Sequence, residues 1–467
     1  MEFNNLANQI IEKTKAAGAT DCDIVLAKAT GKSVSCRLGK IEDIEESSDK
    51  TFGIRALIGS RQSFVSSSNF DTKNIDTLVT KVVEMAKLAP EDDTACLGDS
   101  SKLESEFAEL DLCQNYETDT AIMVESVKKC EDQAISVKGI SNSEGAGASY
   151  STGEFFLATS HGFVGGYKSS SNSISCSVLA GEGLAMERDY DYAVARHHED
   201  LTNPEEIGAN AARLTLKRLN PRKVNSCKTS VVFDKRISSD IIRYVAGAIS
   251  GNSITRGTSF LKDSLNKQIF RKDISIIDDP KITRGLKSSL FDGEGVRNQK
   301  TELVSNGVLK TWLLNTATAK KLNLKTTGHA SRSVGSPPGT GTTNLFMANG
   351  MLSYDDLVGS INNGFYATEP IGMGINLITG DYSMGASGFW IENGELAYPV
   401  SEVTIASNLT EMFLNLSAAN DLEFKFGSIN QIYNLFQTFK SEDTAVPKFR
   451  TMNKDKEVKR NGKLLSR

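Results

Sequence analysis

Histidine is scarce in this 467-residue chain. There are four, alongside nine prolines, two tryptophans and seven cysteines, no two of which form a CxxC pair. With no HExxH either, little is left from which to build a metal site. The cysteines (Cys22, Cys36, Cys96, Cys113, Cys130, Cys176, Cys227) are odd in number and widely spread, as reduced thiols of a cytosolic protein are. No apolar run approaches the roughly 20 residues of a membrane span. The start, MEFNNLANQIIEKTKAAGA, lacks the basic head and apolar stretch of a signal peptide. A cytoplasmic protein without a membrane partner is therefore expected. Positive charge is not in excess: a net charge of -5 gives no basic footprint for nucleic acid. Hydrolase and nucleotide signatures are missing as well. There is no GxSxG, no GxGxxG after a predicted strand, and the run GSPPGTGTTN lacks the Lys of a P-loop.

What remains is the composition of an ordinary soluble protein, 39% hydrophobic and 24% charged, in a chain too long for one core. The patterning predicts an α+β fold in three parts. Residues 1–108 read as an N-terminal α+β domain: a helix over 5–17, short β-prone runs (DIVLAKA, KSVSCRL, GIRALIG, QSFVSSS), then the amphipathic helix IDTLVTKVVEMAKLA. The acidic stretch PEDDTACLGDSSKLESE reads as a linker. Residues 109–222 read as a helix near Asp119–Glu131 followed by a β-rich segment, with two strands around Ser160-His161-Gly162. A helix start is signalled at Thr202-Asn203-Pro204-Glu205-Glu206, where a cap, a proline without an N–H and two acids coincide. Residues 223–440 read as a β-rich C-terminal domain with a few helices. Its pairs Asn306-Gly307 and Asn393-Gly394 suit two-residue hairpin turns. Residues 441–467 carry eight Lys/Arg against four Asp/Glu and read as a disordered basic tail.

Taken singly, the chemically capable residues favour structural roles. His197-His198 precedes a helix cap in a charged stretch and reads as a solvated loop pair. His161 falls in a hairpin turn, and His329, in TTGHASR, is a candidate site residue, although a lone His more often has a structural partner. Asp292 and Glu294, flanked by glycines, read as turn acids rather than an acid–base couple. Ser387 in MGASGFW reads as a turn residue, and Cys227 precedes a core strand. Gly247 and Gly251 form a GxxxG suited to close backbone packing in a soluble core. The surrounding stretch, RYVAGAISGNSITRGTSF, reads as a small-residue helix that turns at Gly251-Asn252.

Several long motifs nevertheless stand in one order: GIRALIG, SHGFVGGYKSS, SFLKDSLNKQI, FDGEGVRNQ, GVLKTWLLNTATAKKLNLKTTGHA and ITGDYSMGASGFWIENGELAYPVSEVTIASNL. Together, over roughly residues 1–427, they resemble the TldD/PmbA family, once described as modulators of DNA gyrase, and within it the PmbA branch, also called TldE. Members of the TldD branch carry HExxxH on the helix before the turn matching GNSITRGTSF, and a late cysteine completes their zinc site. Matching backwards from Arg256-Gly257-Thr258-Ser259 places Arg243 and Ala248 at the two His positions and Tyr244 at the Glu, and no cysteine follows Cys227. A catalytic zinc needs about three protein ligands and an open position.

The resemblance therefore implies a non-catalytic subunit with no catalytic residue, metal or cofactor of its own. Zinc is expected in a TldD-type metallopeptidase partner, and unfolded peptides are the expected substrates of the cytosolic heterodimer. A stand-alone peptide-binding or regulatory module is the alternative, and no nucleic-acid partner is expected. Beyond NDLEFKFGS the chain departs from the family: INQIYNLFQTFKSED and the basic tail replace a short returning strand.

Overall fold

The structure, a computed structural model, describes residues 2–372 and 374–423 and the backbone of three further strands at 429–430, 434–436 and 448–451. Its architecture is the mixed α+β one expected. Helix α1 (Glu2–Ala16) precedes strands β1 (Asp21–Arg37), β2 (Lys40–Ile58) and β3 (Arg61–Ser67), and then helix α2 (Thr72–Leu88). Helix α3 (Thr120–Ser136) leads into β4 (Ile140–Thr159), β5 (Val164–Ala180) and β6 (Glu187–Ala195), followed by α4 (Pro204–Lys217). The six strands form one antiparallel sheet in the order β3-β2-β1-β4-β5-β6, so the two segments contribute three strands each. DIVLAKA and KSVSCRL, separate runs in the sequence, are one 17-residue strand.

Alternation along β1 decides which layer meets which. Ile24 and Leu26, with Phe52 and Ile54 of β2, lie under α1 and α2. Further along, Val34, Ile174 and Val178 lie under α3 and α4. A period of two turns Asp23 and Val25 to the opposite face, where Val25 and Leu157 meet Phe291 of the C-terminal half. The acidic stretch 90–106 is not a free linker. Ala95 and Leu97 are buried, Arg55 donates to the Cys96 carbonyl (2.8 Å), and Leu103 bridges to Val296.

The C-terminal half runs β7 (Ser230–Phe233), α5 (Lys235–Ala248), α6 (Gly251–Arg256), β8 (Ile276–Asp279), β9 (Thr301–Ser305), β10 (Val308–Leu309), α7 (Thr316–Lys321), β11 (Ala330–Ser331), β12 (Gly339–Thr340) and β13 (Asn344–Met347). It continues with α8 (Tyr354–Gly359), β14 (Asn363–Ile371), β15 (Asp381–Glu392), β16 (Glu395–Asn408), α9 (Leu409–Leu414), β17 (Leu416–Ala418), β18 (Ile429–Asn430), β19 (Asn434–Phe436) and β20 (Lys448–Thr451). One sheet has the order β10-β9-β8-β13-β18 and another β17-β19-β7-β14-β15-β16-β20, with β11 and β12 as a separate ribbon. Side chains from both large sheets and from α5 share one core. Asn306-Gly307 and Asn393-Gly394 turn their hairpins with φ between 50° and 82°, as two-residue turns require. The segment after residue 428 supplies β18 to one sheet and β19 to the other. Within the basic tail, β20 pairs with β16; the rest of that tail lies outside the described residues. Among the described residues no helix is long and apolar enough to cross a membrane.

One carboxylate ties the helical layer to the sheet. Glu131 of α3 has no exposed surface and accepts the N–H groups of Leu38 (2.8 Å) and Gly39 (3.0 Å) and the Ser143 hydroxyl (2.5 Å). Leu38 and Gly39 form the β1–β2 turn, both at positive φ. Burial pushes the Glu131 carboxyl up, but the Gly39, Ser143 and Leu38 hydrogen bonds outweigh it and hold the group below its ordinary value. Glu131→Ala should cost about 2–4 kcal/mol in chemical denaturation, because several donors lose a charged acceptor. The stabilisation is complete above the unfolded pKa of about 4.3 and is lost as pH falls through the lower folded value. A stability profile against pH should show this acid step in the parent chain and not in the variant.

Candidate functional site

Helix α5 begins where Asp234 accepts the Arg236 N–H (2.8 Å), and it buries Ile237, Ile241, Ile242 and Val245 at three- and four-residue spacing. It stops at Ala248. Gly251-Asn252 is not a turn but the first turn of α6, which ends at Gly257 in the left-handed region (φ 69°). The break lies at Ile249-Ser250, where the chain pairs with Leu313. Leu313 donates to the Ile249 carbonyl (3.0 Å), and the Gly251 N–H donates to the Leu313 carbonyl (2.8 Å). A Cβ on Gly251 would sit 2.6 Å from Thr318 Oγ1 and 2.8 Å from the Leu313 oxygen, so this glycine is required by close approach. At Gly247 a Cβ would meet only Leu377 Cδ1, at 3.0 Å.

The three positions matched to HExxxH lie in different environments. The Arg243 side chain is 62% exposed and pairs with Asp240 at 3.3 Å. Tyr244 packs edge-on against Tyr382, with ring centres 6.3 Å apart. Burial first, and the Asp240 charge second, push its phenol above the ordinary range. Ala248 is 0% exposed in the core. Among the described residues, no group of three or more His, Cys, Asp or Glu is arranged to hold a metal ion.

The remaining candidates are dispersed. His161 is in the β4–β5 turn with Nε2 3.2 Å from Asp21. His197 is buried, not solvated: Nε2 lies 3.1 Å from the Asp111 carbonyl, a partner distant in sequence. The His198 N–H donates to Gln114 (3.0 Å). Ser387 is not in a turn. It is buried at a bulge in β15, and its hydroxyl accepts from Arg218 (3.0 Å). Cys227 lies just before β7, and burial pushes the Cys22 thiol up to about 12. Asp292 and Glu294 shape turns, but in the interior. Asp292 accepts the N–H groups of Glu294, Val296 and Ala330 (2.9–3.1 Å). Glu294 accepts the Thr316 N–H (2.9 Å) at the start of α7. Burial raises both carboxyls above their usual range, with the Glu294 charge adding to the effect on Asp292. His329 has the expected structural partner, with Nε2 3.4 Å from Asp278, both side chains being buried.

A feature not singled out in the sequence joins the two halves. Asp23 pairs with Arg55, its cross-strand neighbour (3.1 Å), and with Arg332 of the C-terminal half; all three side chains are at most 5% exposed. Beside this cluster a cleft of about 430 Å³ opens between the six-stranded sheet and the segments around residues 287–298 and 328–343. Its sheet side includes Ala27, Lys28, Glu154, Phe155 and Tyr167, and the opposite side includes Lys287, Phe291, Asp292, Asn298, His329 and Arg332. The signal in the sequence was a charge heading an apolar strand, in phase with Val25.

Family models of the PmbA/TldA metallopeptidase match the chain in three parts: domain 1 over residues 22–86, the central domain over 114–219 and the C-terminal domain over 226–453. The chain belongs to the PmbA/TldD metallopeptidase family. It is similar to the metalloprotease PmbA of Escherichia coli O157:H7, 38% identical over 411 residues, covering 87% of this chain and 89% of that protein. A metalloprotease PmbA homolog of Haemophilus influenzae is 36% identical over 427 residues, covering 91% and 92%. The fold matches a solved Thermococcus kodakarensis TldE with a TM-score of 0.84 at 20% identity, covering 95% of this chain and 99% of that one. Among PmbA/TldD proteins, this chain falls with the PmbA/TldE branch.

Two substitutions test the packing. Gly251→Ala should lower unfolding stability by roughly 1–3 kcal/mol, because the added methyl meets backbone. Asp23→Ala should cost about 3–5 kcal/mol by stranding two buried guanidinium groups, read as a lower midpoint in thermal and denaturant melts.

Proposed function

We propose that this chain is the non-catalytic, TldE-type subunit of a cytoplasmic heterodimer. Its TldD-type partner carries the zinc and cleaves unfolded peptides, and this chain completes the enclosure in which cleavage occurs. The observation that carries the reading is the donor set on α5. Where the TldD pattern has two imidazoles and a carboxylate, this helix offers a solvent-facing guanidinium, a phenol held protonated and a methyl group. Neither Arg243 nor Ala248 can give zinc a lone pair, and a guanidinium cation within about 4 Å would repel it by roughly 4 kcal/mol per unit charge. These residues do not fit the metal, so no hydrolytic step runs through them. The match to PmbA proteins over 87–91% of the chain supports the family within which this reading is made.

Purified alone, the chain should retain less than a tenth of an equivalent of zinc by elemental analysis and should not cleave an unstructured peptide. Mixed with a TldD-type chain from the same cell, it should co-elute as a heterodimer with chelator-sensitive cleavage. Cleavage by this chain alone would overturn the assignment, and failure to capture any TldD-type chain would favour a stand-alone peptide-binding module.

A further inference from the structure

Two residues lining the cleft between the two halves hold buried side-chain atoms that the protein itself leaves unpaired. The Arg332 side chain is 3% exposed, with one nitrogen on Asp23, while its Nε and Nη1 have no partner. Asn298 is buried, and its Nδ2 donates to Ser289 Oγ (2.8 Å) and the Ser289 carbonyl (3.3 Å). Those two acceptors fix the amide's orientation and leave Oδ1 as a buried acceptor without a donor. Few buried polar groups in a folded protein go unpaired, and two residues lining one cleft do so here.

The sheet contributes apolar and aromatic side chains to this space, together with Lys28 and Glu154. Register places Ala27 opposite Phe155 and Phe155 opposite Tyr167, all on the face turned to the C-terminal half. Lys28 and Glu154 stand opposite each other in the same register. Phe155, Tyr167 and Phe291 form an aromatic wall with ring centres 5.7–6.2 Å apart. On the opposite side, Lys287 is exposed at the cleft and has no ion pair among the described residues. A volume of about 430 Å³ falls in the range of small-ligand clefts.

We infer that this cleft binds an aromatic residue bearing a free α-carboxylate. The ring packs on Phe155, Tyr167 and Phe291, the carboxylate meets Arg332 and Lys287, and the residue's N–H donates to Asn298 Oδ1. Each element answers a group the cleft leaves open: apolar surface, unpaired cationic donors and one unpaired acceptor. The same chemistry is presented by the C-terminal end of a peptide and by a free aromatic amino acid. The site is a property of this chain alone and does not rest on the pairing proposed above.

Isothermal titration with N-acetyl-phenylalanine tests it, using the full chain without a partner. The acid should bind, N-acetyl-phenylalaninamide at least tenfold more weakly, and N-acetyl-alanine at least tenfold more weakly. Lys287→Ala, at an exposed position, should weaken the acid about fivefold or more without changing the melting temperature, and Asn298→Asp should weaken it further. Equal binding of acid and amide would overturn the site, as would no binding at millimolar concentration or indifference to Lys287→Ala. A phenylalanine-ended peptide compared with free phenylalanine identifies the source. Tighter peptide binding supports capture of chain ends, and tighter amino-acid binding supports capture of a released residue.

Discussion

The carboxylate of Asp23 lies between two guanidinium groups, that of Arg55 on the next strand and that of Arg332 from the other half of the molecule. Two buried cations on one anion are not self-sufficient. At an effective dielectric near 20, like charges about 4 Å apart repel by roughly 4 kcal/mol. The surroundings supply the balance: the Cys96 carbonyl and Gln62 take the other Arg55 donors, and Glu294 stands close enough for the Arg55 charge to act on its carboxyl. Buried ion pairs rarely repay their desolvation, so the consequence here is positional. The cluster fixes the segment around Arg332 against β1 and β2. A Cβ on Gly53 would lie 1.9 Å from the Val334 carbonyl, so the two backbones meet at that point without room for a side chain. The cleft beside it owes its shape to this clamp.

What could be read from sequence follows how local each signal is. The helix start at Asn203-Pro204 was legible because cap, proline and acids act within one turn, and Asn203 does accept the Glu205 N–H (2.9 Å). The Asn-Gly hairpins were legible for the same reason. β1 reads as two runs because its continuity comes from partners: Thr30 and Gly31 are carried by Ser48 and Ser47 of β2 and by Thr152 and Ser151 of β4. His197 reads as solvated in the sequence because its partner, Asp111, lies 86 residues away. Ser387 in MGASGFW reads as a turn residue, whereas a bulge between two long neighbours holds it in a strand. The cleft was illegible for the strongest form of that reason. Its wall comes from β4 and β5 and its polar side from segments more than a hundred residues later.

Family resemblance changed what could be said of α5 but not what can be seen there. Composition alone gives a helix of small and aliphatic residues, and the fold explains why they suit it. Both large C-terminal sheets and α5 share one core, which leaves no room on the buried side for long polar groups. Ala248 is in that core, and Gly251 holds the following turn against Leu313 and Thr318.

That setting also bears on how far this helix stands from a metal site. Positions five apart on an α-helix are about 140° apart around its axis. Here one of the two matched positions faces water and the other faces the core. A His in place of Ala248 would bring an imidazole into the space of a methyl group, with overpacking costs of about 1–3 kcal/mol before any desolvation. A His in place of Arg243 would stand in solvent beside Asp240, away from such a group. Tyr244 leans on Tyr382 within the same core, so a carboxylate there would exchange an aromatic contact for a buried charge. The packing that makes α5 a good structural helix works against each ligand separately, and the obstacle to metal binding is the surroundings of the helix as much as its three side chains.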